Sequence, residues 1–236
     1  MASFWETIQV GELDMLVYAS VPSGSGPFPA VIVSQHGGGV DQFIRDMADR
    51  LAEAGFAAVA PNLFHRFTEE QLNNRSGRIQ HLSDPEIVAD VSATVDWLRA
   101  HSAIQGDRIG ITGFCMGGRV AWLGAATNRH IRACAPYYGG NLFVTWGDGE
   151  QTPFDLASGI QCPMLFHFGE IDENPSLADR DRLDAELSRL GVEHQFHTYP
   201  GADHAFMDYT GLRHQQEASE ASWPRTIEFF TSHLKG

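Results

Sequence analysis

Arg108-Ile109-Gly110-Ile111-Thr112-Gly113-Phe114-Cys115-Met116-Gly117-Gly118 is an apolar run that breaks into a cysteine framed by glycines. The run through Thr112 has the composition of a buried strand, and the small residues from Met116 to Ala126 continue as a helix. Strand passes to helix with no residues left for a loop. Similar units lie on both sides. Pro29 to Ser34 (PAVIVS) is an apolar strand, followed by Phe43, Ile44, Met47 and Leu51 at helical spacing and by Gly55 as a stop. Phe56 to Ala60 is a further strand. Asp84 and Pro85 open a helix that aligns Ile87, Val88, Val91, Val95 and Leu98. Ile131–Pro136, Pro163–Phe168 and Glu193–Tyr199 read as strands, Leu183, Leu187 and Leu190 as a helix, and Trp223, Ile227 and Phe230 as a C-terminal helix. Leu13 to Ala19 suggests a leading antiparallel strand. Strands buried on both faces and alternating with helices predict an α/β fold, a mostly parallel sheet flanked by helices on both faces. In such sheets ligands bind outside the carboxyl ends of the strands. His65–Ser83 and Gly139–Gly159 interrupt the alternation and are expected to be loops beside a pocket.

The length of 236 residues suits one domain spanning 1–236. With 16 basic against 30 acidic residues, the formal charge of −14 argues against a nucleic-acid partner and, more weakly, against an anionic membrane surface. No apolar run reaches the length of a membrane span, and Met1–Val10 lacks the features of a signal peptide. Three cysteines cannot form a complete disulfide set, so a reduced, cytoplasmic chain is expected, either monomer or homodimer. The histidines lack metal spacing. His194 and His197 would point to opposite faces of a strand, so neither a metal nor a cofactor is expected.

Gly113-x-Cys115-x-Gly117 is the G-x-S-x-G nucleophile elbow with cysteine in the serine position. A strained turn lifts the side chain clear of the sheet, and the adjoining helix N-terminus favours thiolate. Free cysteines are more often small core residues. That reading is kept for Cys134 and Cys162, whereas the glycine frame favours chemistry at Cys115.

A nucleophile of this kind needs a base and a group that orients the base. In this architecture the chain order is nucleophile, acid, histidine. Asp172 and His204 each follow a strand in that order. Glu170, Glu173 and Asp203 are rivals for the acid. The backbone N–H groups of Met116 and of Gly37, in Gln35-His36-Gly37-Gly38-Gly39, are candidate oxyanion donors.

Gly113–Gly118, Gly169-x-x-Asp172 and Gly201-Ala202-Asp203-His204-Ala205-Phe206 resemble the dienelactone hydrolase family, a branch of the α/β hydrolases. The resemblance extends to Ala57–Phe64 and covers nearly the whole chain. It implies the α/β-hydrolase fold, a Cys115–His204–Asp172 triad, and opening of a lactone or cleavage of a small ester through an acyl-cysteine. The family's named reaction is that of carboxymethylenebutenolidase. Two positions depart from the family. His36 stands where characterised members carry a glutamate that helps form thiolate, which makes His36 a candidate thiol-activating or substrate-contacting residue. Asp208 stands where enzymes for anionic substrates carry an arginine. A substrate carboxylate beside Asp208 would need Arg75, Arg78 or another arginine, so a neutral ester or lactone is expected. The alternative is a non-catalytic small-molecule binding protein on a hydrolase scaffold.

Overall fold

The computed structural model covers residues 1–236. It contains one eight-stranded sheet, built from β1 (Ala2–Val10), β2 (Leu13–Val21), β3 (Phe28–Ser34), β4 (Ala57–Pro61), β5 (Ile104–Phe114), β6 (Ile131–Tyr137), β7 (Met164–Gly169) and β8 (His194–Tyr199). The spatial order is β1-β2-β4-β3-β5-β6-β7-β8. β1 and β2 pair antiparallel, β2 runs antiparallel to β4, and every pairing from β4 to β8 is parallel. β3, β4 and β6 are buried on almost every residue, as strands covered on both faces must be.

Six α-helices accompany the sheet: α1 (Gln42–Glu53), α2 (Glu69–Asn73), α3 (Asp84–Ala100), α4 (Met116–Thr127), α5 (Leu177–Leu190) and α6 (Gln216–Leu234). On one face, Val91 and Val95 of α3, Val120 and Leu123 of α4, and Leu183 and Leu187 of α5 pack on Ile32, Ile111 and Phe166. On the other, Phe43 and Met47 of α1 and Phe229 and Phe230 of α6 pack on Val31, Val33 and Ala135. The apolar stripes read from the sequence are the faces buried here.

The leading edge and the 65–83 stretch differ from the sequence reading. β1 precedes the expected first strand. Its residues are exposed except Ile8 and Val10, so it carries no strong apolar alternation, and Gly11 at φ 61° turns it into β2. The 65–83 stretch, expected as loop, contains α2 and a 3-10 turn, Arg78–His81. Thr68 and Gln71 close a reciprocal capping box on α2.

Candidate active site

The parallel strands deliver five segments to one end of the sheet: 35–41 after β3, Cys115 after β5, 138–149 after β6, 170–176 after β7 and 200–215 after β8. Cys115 stands alone between β5 and α4 with φ 58° and ψ −120°, a conformation costly for a residue with a side chain. Packing holds it there. Its N–H donates to the Tyr137 carbonyl at 3.1 Å, and its own carbonyl accepts from the Gly118 N–H at 2.9 Å. A Cβ on Gly113 would lie 2.0 Å from the Gly117 carbonyl oxygen, and one on Gly117 would lie 2.2 Å from that of Ser34. The glycines are therefore required by contact between backbones. Cys134 and Cys162 are buried, and burial pushes their thiols up, Cys162 to about 12.

His204 Nδ1 and Asp172 Oδ2 are 2.9 Å apart. The other oxygen of Asp172 accepts from the Asn174 N–H at 2.9 Å. The buried Arg180 guanidinium donates to the carbonyl of Asp172 at 2.9 Å and to that of Pro175 at 3.0 Å, fixing the 172–175 turn. Two of the rival carboxylates are engaged elsewhere. Glu170 accepts from the Gly201 N–H at 2.9 Å, and Asp203 accepts from the backbone N–H of His204 at 2.7 Å. Glu173 lines a surface cavity of about 460 Å³ together with Asp172, Asn174, Asp203, His204 and Arg213. Tyr138, at φ 38°, lies with its ring 5.2 Å from that of His204, and its buried hydroxyl has no hydrogen-bond partner.

The electrostatics couple sulfur and imidazole. Burial disfavours the imidazolium of His204, but hydrogen bonds to Asp172 and Cys115, with the charges of both, push it up to about 10. Burial likewise opposes the thiolate of Cys115. The hydrogen bond and charge of His204, the Met116 N–H and the charge of His36 outweigh it and hold the thiol below its usual value. The two groups thus favour the thiolate–imidazolium form over the neutral pair. Neither the Met116 nor the Gly37 N–H donates to a backbone carbonyl. The Met116 N–H is directed at the Cys115 sulfur.

The remaining candidates fall into distinct places. His36 Nε2 is 2.7 Å from Asp41 Oδ2, and its Nδ1 is 3.9 Å from Asp208 Oδ2. Asp208 is buried and accepts from the Thr210 N–H at 2.9 Å. The Arg78 guanidinium donates to the carbonyls of Leu72 and Gly38 and lies over the Phe64 ring. Arg75 is exposed. Asp41 is absent from the sequence reading. Its one signal there is its place before α1, where it also caps the helix by accepting from the Ile44 N–H at 3.3 Å. Arg119 of α4 ties down the loop after β6. It pairs in the interior with Asp84 at 2.7 Å, donates to the carbonyls of Asn141 and Val144, and lies 4.1 Å from the centre of the Trp146 ring. No three or more His, Cys, Asp or Glu side chains cluster in a way that could hold a metal ion. No helix is long and apolar enough to cross a membrane.

The pattern of the dienelactone hydrolase family matches residues 15–234. The chain belongs to the dienelactone hydrolase family. It is a hydrolase, and its sheet and helices are those of the α/β-hydrolase fold. It is 32% identical to a Bradyrhizobium protein provisionally named 2-oxo-3-(5-oxofuran-2-ylidene)propanoate lactonase, over 100% of this chain and 96% of the relative. It is 29% identical to a Synechocystis protein provisionally named carboxymethylenebutenolidase, over 97% and 96% of the two chains. The crystal structure of a Klebsiella pneumoniae protein, provisionally named dienelactone hydrolase, superposes with a TM-score of 0.89 at 28% identity and covers 98% of this chain and 99% of its own.

Proposed function

We propose that this family member opens a small lactone, or cleaves a small ester, by way of an acyl-cysteine on Cys115. The observation that carries the reading is the strained Cys115 at the strand–helix elbow, together with His204 Nδ1 lying 2.9 Å from Asp172 Oδ2 on a neighbouring loop. The Cys115 thiolate attacks the carbonyl carbon, and the carbonyl electron pair moves onto oxygen beside the N–H groups of Met116 and Gly37. Collapse of the tetrahedral species breaks the acyl–oxygen bond. The departing oxygen takes the proton of the His204 imidazolium. His204, now neutral, removes a proton from water, which attacks the thioester. The sulfur leaves as thiolate and the imidazolium is restored. Asp172 keeps the Nδ1 proton in place through both halves.

The named lactonase and carboxymethylenebutenolidase relatives support a lactone substrate class. The carboxylates of Asp41 and Asp208 beside the site, with the Arg78 guanidinium engaged by carbonyls, favour a neutral substrate over an anionic one. A free-thiol chemistry fits a reducing cytoplasm, and one domain acting as a monomer or homodimer suffices for it.

The test is a panel of dienelactone, a neutral butenolide and short p-nitrophenyl esters, read by rate and by intact mass. Wild type is expected to turn over at least one class and to carry an acyl adduct that Cys115→Ala lacks. Full turnover by Cys115→Ala ends the proposal. Binding without any adduct or product supports the non-catalytic reading instead.

A further inference from the structure

A second histidine–carboxylate pair lies beside the elbow: Ser34 of β3 pairs with Gly113 of β5, and His36 and Cys115 each follow two residues later. The second comes from different elements. His36 follows β3, and Asp41 caps α1. Their contact is 2.7 Å, and the ring is seated edge-on against Phe43 with centroids 5.7 Å apart. The charged and titratable groups around His36 come from every neighbouring segment. Asp41 touches Nε2, and Asp208, from the loop after β8, faces Nδ1 at 3.9 Å. Cys115 at the elbow interacts with the ring charge, and Arg78, from the 3-10 turn, reaches the Gly38 carbonyl at 3.2 Å. Arg45 acts on Asp41, while Tyr138 and Tyr209 lie within the field of Asp208.

The charge count in this corner is informative. Asp41, Asp208 and a Cys115 thiolate are three anions. The Arg78 guanidinium is spent on backbone carbonyls and makes no contact with either carboxylate. With His36 neutral, the two carboxylates beside it would stand uncompensated, and the thiolate would depend on His204 alone. With His36 protonated, the ring bonds one carboxylate, faces the other and presents its charge to sulfur. The balance of forces on the ring runs the same way: burial opposes the charged form, while the bond and charge of Asp41 and the charges of Asp208 and Cys115 outweigh it.

We propose that His36 is a positioning residue of the site, an imidazolium held by Asp41 that neutralises the Asp41–Asp208 corner and thereby keeps Cys115 as thiolate. It transfers no proton in the reaction. It sets the pH at which the nucleophile is ready.

The inference deepens the hydrolase reading, but its test needs no turnover. The rate of alkylation by neutral iodoacetamide is followed against pH with intact-mass detection. Cys134 and Cys162 do not interfere, because burial keeps them protonated. In His36→Gln the inflection for Cys115 is expected to rise by about one pH unit, a roughly tenfold smaller thiolate fraction on the acid side. Asp41 caps α1 through its own contact with Ile44, independently of the ring. An inflection within about 0.3 pH unit of wild type overturns the proposal, since that is far below the expected effect. The reciprocal measurement uses no variant at His36. Coupling between two sites is symmetric, so the imidazole resonance of His36 should titrate lower in Cys115→Ser than in wild type. An unchanged His36 titration also overturns the proposal. Either failure leaves the acyl-cysteine test standing, and the absence of an acyl adduct leaves the thiolate titration standing.

Discussion

In an Asp172→Asn protein the hydrogen-bond pattern itself forces the wrong tautomer on His204. The Asp172 oxygen that meets the Asn174 N–H accepts a bond at 2.9 Å, so the amide must place its oxygen there. Its NH₂ then takes the place of Oδ2, 2.9 Å from His204 Nδ1. Facing a donor, Nδ1 must accept, and the single ring proton moves to Nε2, where it can no longer receive the thiol proton. Two losses combine. The charge-assisted bond that favours imidazolium contributes about 1.5–3 kcal/mol, a factor of about 10 to 150 in the thiolate–imidazolium population. The tautomer change brings the total fall in kcat/KM to about 10³–10⁴. The assay is a pH–rate profile with a short p-nitrophenyl ester, with circular dichroism to verify the fold. The alkaline limb, set in wild type by His204 near 10, should also move down by about one to two pH units. Activity within tenfold of wild type, or an alkaline limb left near its original position, would refute the assignment of Asp172 as the orienting acid.

Wild-type activity should form a plateau. On the acid side it is bounded by protonation of Cys115, below the pH of an ordinary thiol, and on the alkaline side by loss of the His204 proton near 10. A single rise at pH 8–9, read in the same profiles, would contradict the ion pair. Gly117→Ala places a Cβ against the Ser34 and Gln35 carbonyls and should cost about 3 kcal/mol or more, seen as a lower urea midpoint. Arg119→Leu strands the buried Asp84 and should cost about 3–5 kcal/mol in the same experiment. His167 is fully buried, bonded to Tyr199 and Thr226, and burial holds its imidazole well below the usual range. The unfolded chain therefore binds the extra proton. Stability from this group is complete above about pH 6.5 and falls below it by up to about 1.4 kcal/mol per pH unit. Urea unfolding at pH 5 and pH 7.5 should show a smaller pH-dependent loss in His167→Gln than in wild type.

The parts of the fold that were readable share one property. β3, β4 and β6 are buried on both faces, so their sequences are apolar runs that need no partner to identify them. β1 was not readable. It lies at the sheet edge with most residues exposed, and its strand state comes from pairing with β2. β5 begins at Ile104, before the run at Arg108, because Ile104 pairs with Phe28 of β3 ahead of a break in register. At the site, the order Cys115, Asp172, His204 could be seen in the chain. The choice among four carboxylates could not, because it depends on which loop oxygen reaches Nδ1. Glu170 meets the Gly201 N–H and Asp203 the His204 N–H, while Asp172 reaches the ring. Asp41 was hidden for another reason: its helix-capping role accounts for its presence, and its contact with His36 exists only after folding.

The glycines around the elbow also bear on how this chain can change. Added Cβ atoms at Gly113, Gly117, Gly118 and Gly139 would each come within 2.6 Å of another backbone atom. At these glycines β5, β6 and α4 therefore meet backbone to backbone, and main-chain geometry is common to every amino acid. The turn does not depend on which atom tips the side chain at position 115. Sulfur could be exchanged for oxygen with little change to the scaffold, while a methyl group two or three residues away, at Gly113, Gly117 or Gly118, would break it. Chemical identity and architectural identity are thus carried by nearby residues with opposite tolerances, which leaves position 115 free to diversify inside a frame that cannot.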